Sequence, residues 1–436
     1  MIDWNSVNAV AAEYLSELIQ IDTSKGNEMV AVNWLKNKAE QHGLYTFVQT
    51  TADNRGNIIV SLKPEYKHPI VLLSHLDVVP AKEEDWEFPP FSGAIIHDVI
   101  WGRGTIDTKQ LTITHLLVLI LMKENRLHPP QDVILIATSD EENGSKFGLL
   151  ALLAQAASTL FNGSIVFNEG GGFPILIGDQ AYYLCEMGQK GRAVIRISAP
   201  QEQVENPYLP NNSSLKTMTR TIERFQSSNL PEQVPAISQL LMKTIGKQLN
   251  ITENLTTELF LEHIPVHLHS LFQAMTKTTF SITRWSGGRK HPTLNGHSEI
   301  YIDCRTLPSV TFEHLQDYLT MIVKDLPVQV EILEFSQGYE MEIKPKDLVL
   351  FETILTKKVS HAKVVPFLSI GGSDSRHLYR LDTQVYGYCP MLPDMTFDRV
   401  IKMVHGTNES LPLDSLLFGI QNMLDIVTTI ERSVEE

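Results

Sequence analysis

The stretch Val71 to Pro80 reads Val-Leu-Leu-Ser-His-Leu-Asp-Val-Val-Pro. Its apolar run does not alternate with polar residues, the pattern of a strand covered on both faces. The run ends in His75 and Asp77, two positions apart and so on one face of an extended chain. An imidazole can give one nitrogen to a metal while a nearby carboxylate holds the other N–H, setting tautomer and ring plane. Such a strand demands a sheet buried between helices. For a metal it also demands further ligands from the ends of other strands.

The rest of the chain supplies that setting. Val10, Ala11, Tyr14, Leu15, Leu18 and Ile19 recur at helical spacing over residues 6–20, with Ser6 as N-cap. A second helix over 28–42 stops at Gly43, where a left-handed residue fits. Strands over 45–51 and 57–62 lead to the His75 strand. A helix over 109–126, an apolar strand over 132–139, a helix over 145–158 and a strand over 164–168 follow. This alternation predicts an α/β fold, a mixed sheet flanked by helices, with functional residues just beyond the strand ends.

From about Gln189 the texture changes. A strand over 192–198 runs into a polar, Pro-containing loop to Asn212. Helices over 214–227 and 233–248 and strands over 278–285 and 298–305 come next. This reads as a small α+β unit inserted in the larger domain. Alternation resumes after Pro308, with a helix over 311–325, a strand over 327–334, a helix over 347–359 and the loop Gly371-Gly372-Ser373-Asp374. A strand over 384–388 and a helix over 411–432 complete it. The expected domains are 1–188 and 307–436, two parts of one catalytic domain, with 189–306 inserted.

At 436 residues the chain is long enough for two or three domains. Lys+Arg 36 against Asp+Glu 51 leaves −15, which argues against nucleic acid or an anionic membrane as partner. The longest apolar run, Leu116 to Met122, is too short to span a bilayer. Three scattered cysteines, Cys185, Cys304 and Cys389, offer neither a disulfide framework nor a thiolate zinc site. With no basic leader ahead of the first helix, the expected location is cytoplasmic.

Four further stretches belong with His75. Trp101-Gly-Arg-Gly-Thr-Ile-Asp107 puts a carboxylate after a Gly-rich turn that opens a helix. Ser139-Asp-Glu141-Glu142-Asn-Gly144 puts adjacent glutamates at the end of an apolar strand. Asn168-Glu169-Gly-Gly-Gly172 and Val404-His405-Gly-Thr-Asn-Glu409 add a carboxylate and a late imidazole. Two His and three carboxylates suit Zn²⁺, or Co²⁺ or Mn²⁺. A carboxylate shared by two ions makes a two-metal site, and one outside the ligand set can move the attacking water's proton to a leaving amine. Glu141 and Glu142 point different ways, so one can bind metal while the other transfers protons.

The order of these segments resembles the M20 family of dinuclear zinc peptidases and aminoacylases, in particular its carboxypeptidase S-like branch. The likeness rests on His75-Leu-Asp-Val-Val-Pro80, Trp86 with Pro89-Pro90-Phe91, Gly102-Arg-Gly-Thr-Ile-Asp107 and Gly371-Gly-Ser-Asp-Ser-Arg376. It implies a zinc-exopeptidase-type catalytic domain and an inserted ferredoxin-like lid that forms a homodimer. It further implies that His75, Asp107, Glu142, Glu169 and His405 hold two zinc ions, with Asp107 bridging. Asp77 orients His75, Glu141 is the general base and acid, and the Asp107–Thr108 peptide is cis.

Two places depart from the family pattern. A loop of the form Gly-Gly-His-x-Ser-x-Pro usually follows the first lid strand; counting back from Pro207, this chain has Gln203 for the His and Glu205 for the Ser. Near the lid's end, Pro292 stands where the family has Asn, with Asn295 three residues on. His291 and Arg289 are candidates for the electrophilic role. The function implied is hydrolysis of an amide bond next to a free carboxylate in a small peptide, with Arg376 as the fork for that carboxylate or as an ion-pair partner of Asp374. An N-acyl amino acid deacylase is the alternative. A metal-binding protein without turnover is the reading from another class.

Overall fold

The computed structural model describes residues 2–199, 214–228, 230, 233–251, 255–287 and 297–431. The chain folds into two compact units. One comprises Met1–Met187, Met341–Phe367 and Ser373–Glu436, the other Gly188–Glu340 and Leu368–Gly372.

The first unit is built on a mixed sheet. Its strands run in the order Tyr45–Ala52, Arg55–Ser61, Val133–Thr138, Ile70–His75, Ser164–Asn168, Thr383–Gly387 and Gln180–Gln189. Ile70–His75 lies parallel to both Val133–Thr138 and Ser164–Asn168, and Thr383–Gly387 lies parallel to Ser164–Asn168. Every residue of these four strands is buried, as their unbroken apolar runs require. On one face Val71, Leu73, Ile134, Ile136, Val166 and Val385 pack against Leu149, Leu152 and Leu378. Truncating a core leucine such as Leu73 to alanine costs about 2–5 kcal/mol.

The helix Lys109–Glu124 is buried at every position from Lys109 to Met122. A helix buried all round lies inside a domain, and this one packs against the helices Trp4–Ile19 and Leu413–Val427. The first helix is capped differently from expectation. Asp3, not Ser6, is its N-cap, accepting from the N–H groups of Asn5 and Ser6. A carboxylate there also complements the positive end of the helix dipole.

The second unit holds an antiparallel sheet in the order Thr279–Gly287, Ser298–Thr306, Gly191–Ala199, Gln329–Ser336. The helix Ser214–Gln226 packs across it, beside Phe312–Ile322. Taken along the chain this is β-α-β-β-α-β, a ferredoxin-like arrangement, with the helices Ala236–Gln248, Thr257–Leu261 and His269–Thr276 added after its first helix. Because Gln329–Ser336 pairs with residues 192–198, the inserted segment extends past its expected end at 306, and the first unit resumes at Met341. Gln203, Glu205, Arg289, His291, Pro292 and Asn295 lie outside the described residues. Among the described residues no helix is long and apolar enough to cross a membrane.

Candidate metal centre

The parallel strands end side by side. His75 is the last residue of its strand and pairs in register with Thr138. Beyond Thr138 the chain turns at Asp140, in the left-handed region at φ 67°, into a single 3-10 turn, Glu141–Asn143. Glu169 follows the last residue of Ser164–Asn168. Gly170 comes next at φ 104°, where a Cβ would lie 2.0 Å from Glu186 Oε2, so only glycine fits. Asp107 enters from the Gly-rich turn before the helix Lys109–Glu124, and its peptide bond to Thr108 is cis. His405, at φ 57°, comes from the loop after the helix Phe397–Met403.

These residues meet in two triads that share Asp107. His75 Nε2 stands 3.0 Å from Asp107 Oδ1 and 3.5 Å from Glu169 Oε2. His405 Nε2 stands 3.1 Å from Asp107 Oδ2 and 3.0 Å from Glu142 Oε2. Within each triad the donor atoms lie within 4.8 Å of one another. The two oxygens of Asp107 thus face opposite histidines, as a carboxylate bridging two cations must. Glu142 Oε1 is buried with no hydrogen-bond partner among the described residues, a further lone pair for a cation. Mixed nitrogen and oxygen donors suit divalent zinc, cobalt or manganese, so the residues fit a dinuclear centre.

The electrostatics agree. Burial, with Asp107 and Glu142 adding to it and His75 opposing it, pushes the Glu169 carboxyl up to about 7. Asp107 and Glu142 hold the His405 imidazolium, raising its pKa to about 10. Carboxylates that so strongly favour a proton on an imidazole favour a divalent cation in its place.

Asp77 behaves differently from the sequence expectation. His75 Nδ1 is bonded to the backbone carbonyl of Asp77 at 2.9 Å, while the Asp77 carboxylate stays 3.6 Å away. That carboxylate instead accepts from the N–H of Glu141 at Oδ1 and from the N–H of Glu142 at Oδ2, both at 3.1 Å. The strand has ended by Asp77, and the left-handed Asp140 directs two orphan N–H groups back toward it. One residue thereby ties the first histidine to the glutamate turn. Arg55 supports the same turn, pairing with Asp140 and, at 3.2 Å, with Glu28.

Glu141 belongs to neither triad. It is 7% exposed, and its Oε1 lies 3.5 Å from Arg376 Nη2. Burial and then Glu169 raise its pKa well above the usual range, against the pull of His75 and Arg376. Arg376 Nη2 also lies 3.4 Å from Ser145 Oγ. No ion pair joins Arg376 to Asp374 among the described residues; Asp374 accepts from Ser145 Oγ and, at 3.1 Å, from Thr138 Oγ1.

Two residues, Arg103 and Glu409, carry more of the site than their motifs suggested. Glu409 is fully buried, and its carboxylate takes the N–H groups of Gly104, Ile106 and Asp107 together with the Arg103 guanidinium. Both lie inside stretches already singled out. The available signal was an Arg wedged between glycines and a Glu four residues after the late histidine.

Comparison with known proteins fits this geometry. The model of "Peptidase family M20/M25/M40" matches residues 71–429. The chain is 26% identical over 389 residues to the N-fatty-acyl-amino acid synthase/hydrolase PM20D1 of Mus musculus, covering 84% of this chain and 75% of that one. It is 23% identical over 365 residues to the probable carboxypeptidase S-like 1 of Dictyostelium discoideum, covering 80% and 70%. The fold superposes on the di-peptidase Dug1p from Saccharomyces cerevisiae with a TM-score of 0.68 at 16% identity, over 98% of this chain and 96% of that one. The family match runs from the strand that delivers His75 to the helix beyond His405, and the chain belongs to peptidase family M20/M25/M40, a metallohydrolase of peptide-like bonds.

Proposed function

We propose that the centre works with two zinc ions and hydrolyses the amide bond next to a free carboxylate in a small peptide. His75, Asp107 and Glu169 would hold one ion, and Asp107, Glu142 and His405 the other. When bound, such a pair polarises the scissile carbonyl and makes water a nucleophile at neutral pH. Glu141 takes the proton from the attacking water and delivers it to the leaving amine. The observation that carries this reading is the placement of Glu141: buried, outside both triads, yet next in the chain to the ligand Glu142. Arg376, beside Glu141, offers its guanidinium fork to the substrate carboxylate.

A second reading, an N-acyl amino acid as substrate, draws support from the name of the mouse relative. Both readings place the reacting nitrogen on an amino acid with a free carboxylate. The test assays zinc-loaded protein on dipeptides, the same dipeptides amidated at the C-terminus, and N-acyl amino acids of short and long chain. Hydrolysis of the free dipeptides but not of their amides is expected. Turnover confined to N-acyl amino acids selects the second reading, and equal turnover of free and amidated dipeptides removes the carboxylate requirement. The edge strand Thr279–Gly287, with Trp285 49% exposed, supports a homodimer formed through the second unit.

A further inference from the structure

We propose that Glu409 is the positioning residue for the triad of Asp107, Glu142 and His405: a carboxylate that binds no ion and sets the loops carrying two of its ligands. This rests on the dinuclear reading above.

The triads share Asp107, but their histidines are held by different means. His75 ends a strand and Glu169 directly follows one, so sheet hydrogen bonds fix their backbones. Asp107 and His405 sit on loops. The carboxylate of Glu409 bridges those loops. Its Oε1 accepts from the N–H of Ile106 at 2.5 Å and of Asp107 at 3.0 Å, and from the N–H of Gly104 at 3.1 Å. Three peptide N–H groups in the approach to Asp107 therefore converge on one side chain.

From the other direction, Glu409 belongs to the His405 loop. Arg103 Nη1 donates to Glu409 Oε2 at 2.9 Å, and Nη2 donates to the carbonyl of Gly406, next to His405, at 2.7 Å. The backbone N–H of Gly102 donates to the Glu409 carbonyl at 3.0 Å. Arg103 thus fastens the His405 loop near both of its ends. The His405 side chain is itself 53% exposed and its backbone left-handed at φ 57°, so surrounding packing does little to fix the ring. Glu409 and Arg103 fix the loop instead.

A carboxylate suits this position because all its neighbours donate. In Glu409→Gln the amide oxygen can still accept from Ile106 and Asp107. The amide nitrogen then meets the donors of Arg103 or Gly104, and a buried guanidinium loses its counter-charge. Glu409→Asp keeps the charge but is one methylene too short to span both loops.

The test measures metal binding, separately from turnover. Wild type, Glu409→Gln and Glu409→Asp are loaded with Co²⁺ and titrated with a chromophoric chelator, while apo-protein melting is recorded alongside. Wild type should bind two ions per chain. Glu409→Gln should bind the ion of the His405 triad about 10–100-fold more weakly, the usual effect of losing a group that orients ligands, and the ion of the His75 triad, which shares only Asp107 with it, more weakly by a smaller factor; Glu409→Asp should fall between. A lower apo melting temperature with both dissociation constants unchanged would make Glu409 a fold-stabilising residue and overturn the proposal. Should Glu409→Gln fail to fold, Arg103→Lys keeps the charge but cannot reach Glu409 and Gly406 together. It should weaken the same ion, and unchanged constants would overturn the proposal. A wild type that binds no ion defeats the dinuclear reading and this proposal together, whereas two ions equally tight in wild type and variants defeat this proposal alone.

Discussion

Glu141 and Glu142 are chain neighbours whose surroundings differ in kind. Glu142 Oε2 reaches His405 Nε2 at 3.0 Å, whereas Glu141 Oε1 faces Arg376 at 3.5 Å. Glu141→Gln should therefore keep two ions per chain and lose about 10²–10⁴ in kcat, the range typical of general acid–base catalysis. Glu142→Ala should lose one ion as well as turnover. Metal analysis beside steady-state kinetics separates them, and equal metal loss in both variants would contradict the division of roles. At this scale the meeting of the five residues of the triads was legible in sequence, because each follows a strand end or a Gly-rich or late loop with its own signature. The contact made by Asp77 was not. The i, i+2 rule that put its carboxylate beside His75 holds only in extended chain, and the strand stops at His75. What Asp77 does instead goes with Asp140 at φ 67°, whose side chain pairs with Arg55 far along the chain and accepts from the N–H of Phe147.

The expected helices and strands lie close to where unbroken apolar runs and 3.6-residue spacing, both local signals, place them, whereas the strands Gln180–Gln189 and Ala362–Ser369 and the helix His269–Thr276 were not among them. The helix Lys109–Glu124 adds something its pattern conceals. His115 is fully buried, and neither ring nitrogen has a hydrogen-bond partner among the described residues. Burial lowers its pKa from 6.5 to about 3. In the unfolded chain the ring protonates near 6.5, so between these values the unfolded state binds more protons than the folded one. Stability therefore falls as pH falls through that window and is unaffected above it. Between pH 7 and pH 5 the expected loss from this ring is about 2 kcal/mol. His115→Leu, close in volume and without a titrating group, should remove it. The difference in denaturation free energy between wild type and variant, taken at pH 7 and pH 5, isolates the ring from the carboxylates of the two triads, which titrate in both proteins. A difference that does not change with pH would mean the ring stays neutral in both states or finds a partner on protonation.

For the whole molecule, two-unit organisation was legible from the change of texture near Gln189, but the end of the insertion was not. Residues 307–340 contain a helix and a strand that alternate like those of the first unit, and pairing alone assigns them: Arg192–Ser198 lies against Gln329–Ser336 across more than a hundred residues of chain. No local pattern encodes a partner that distant. The same sheet order leaves Thr279–Gly287 at an edge, with no strand on its outer side among the described residues. An edge strand presents unpaired N–H and C=O groups, and natural sheets cover or charge such edges unless another chain uses them. Here the strand carries Trp285, half exposed, beside the single exposed charge of Arg284. The expected outcome is a dimer of twice the chain mass in sedimentation equilibrium at micromolar concentration. Trp285→Lys should shift it toward monomer while leaving metal content unchanged, since both triads belong to the first unit. A wild type monomeric across that range would exclude the edge as a dimer contact, and a dimer indifferent to Trp285→Lys would move the contact to another surface, the opposite edge Gln329–Ser336 being the first to test.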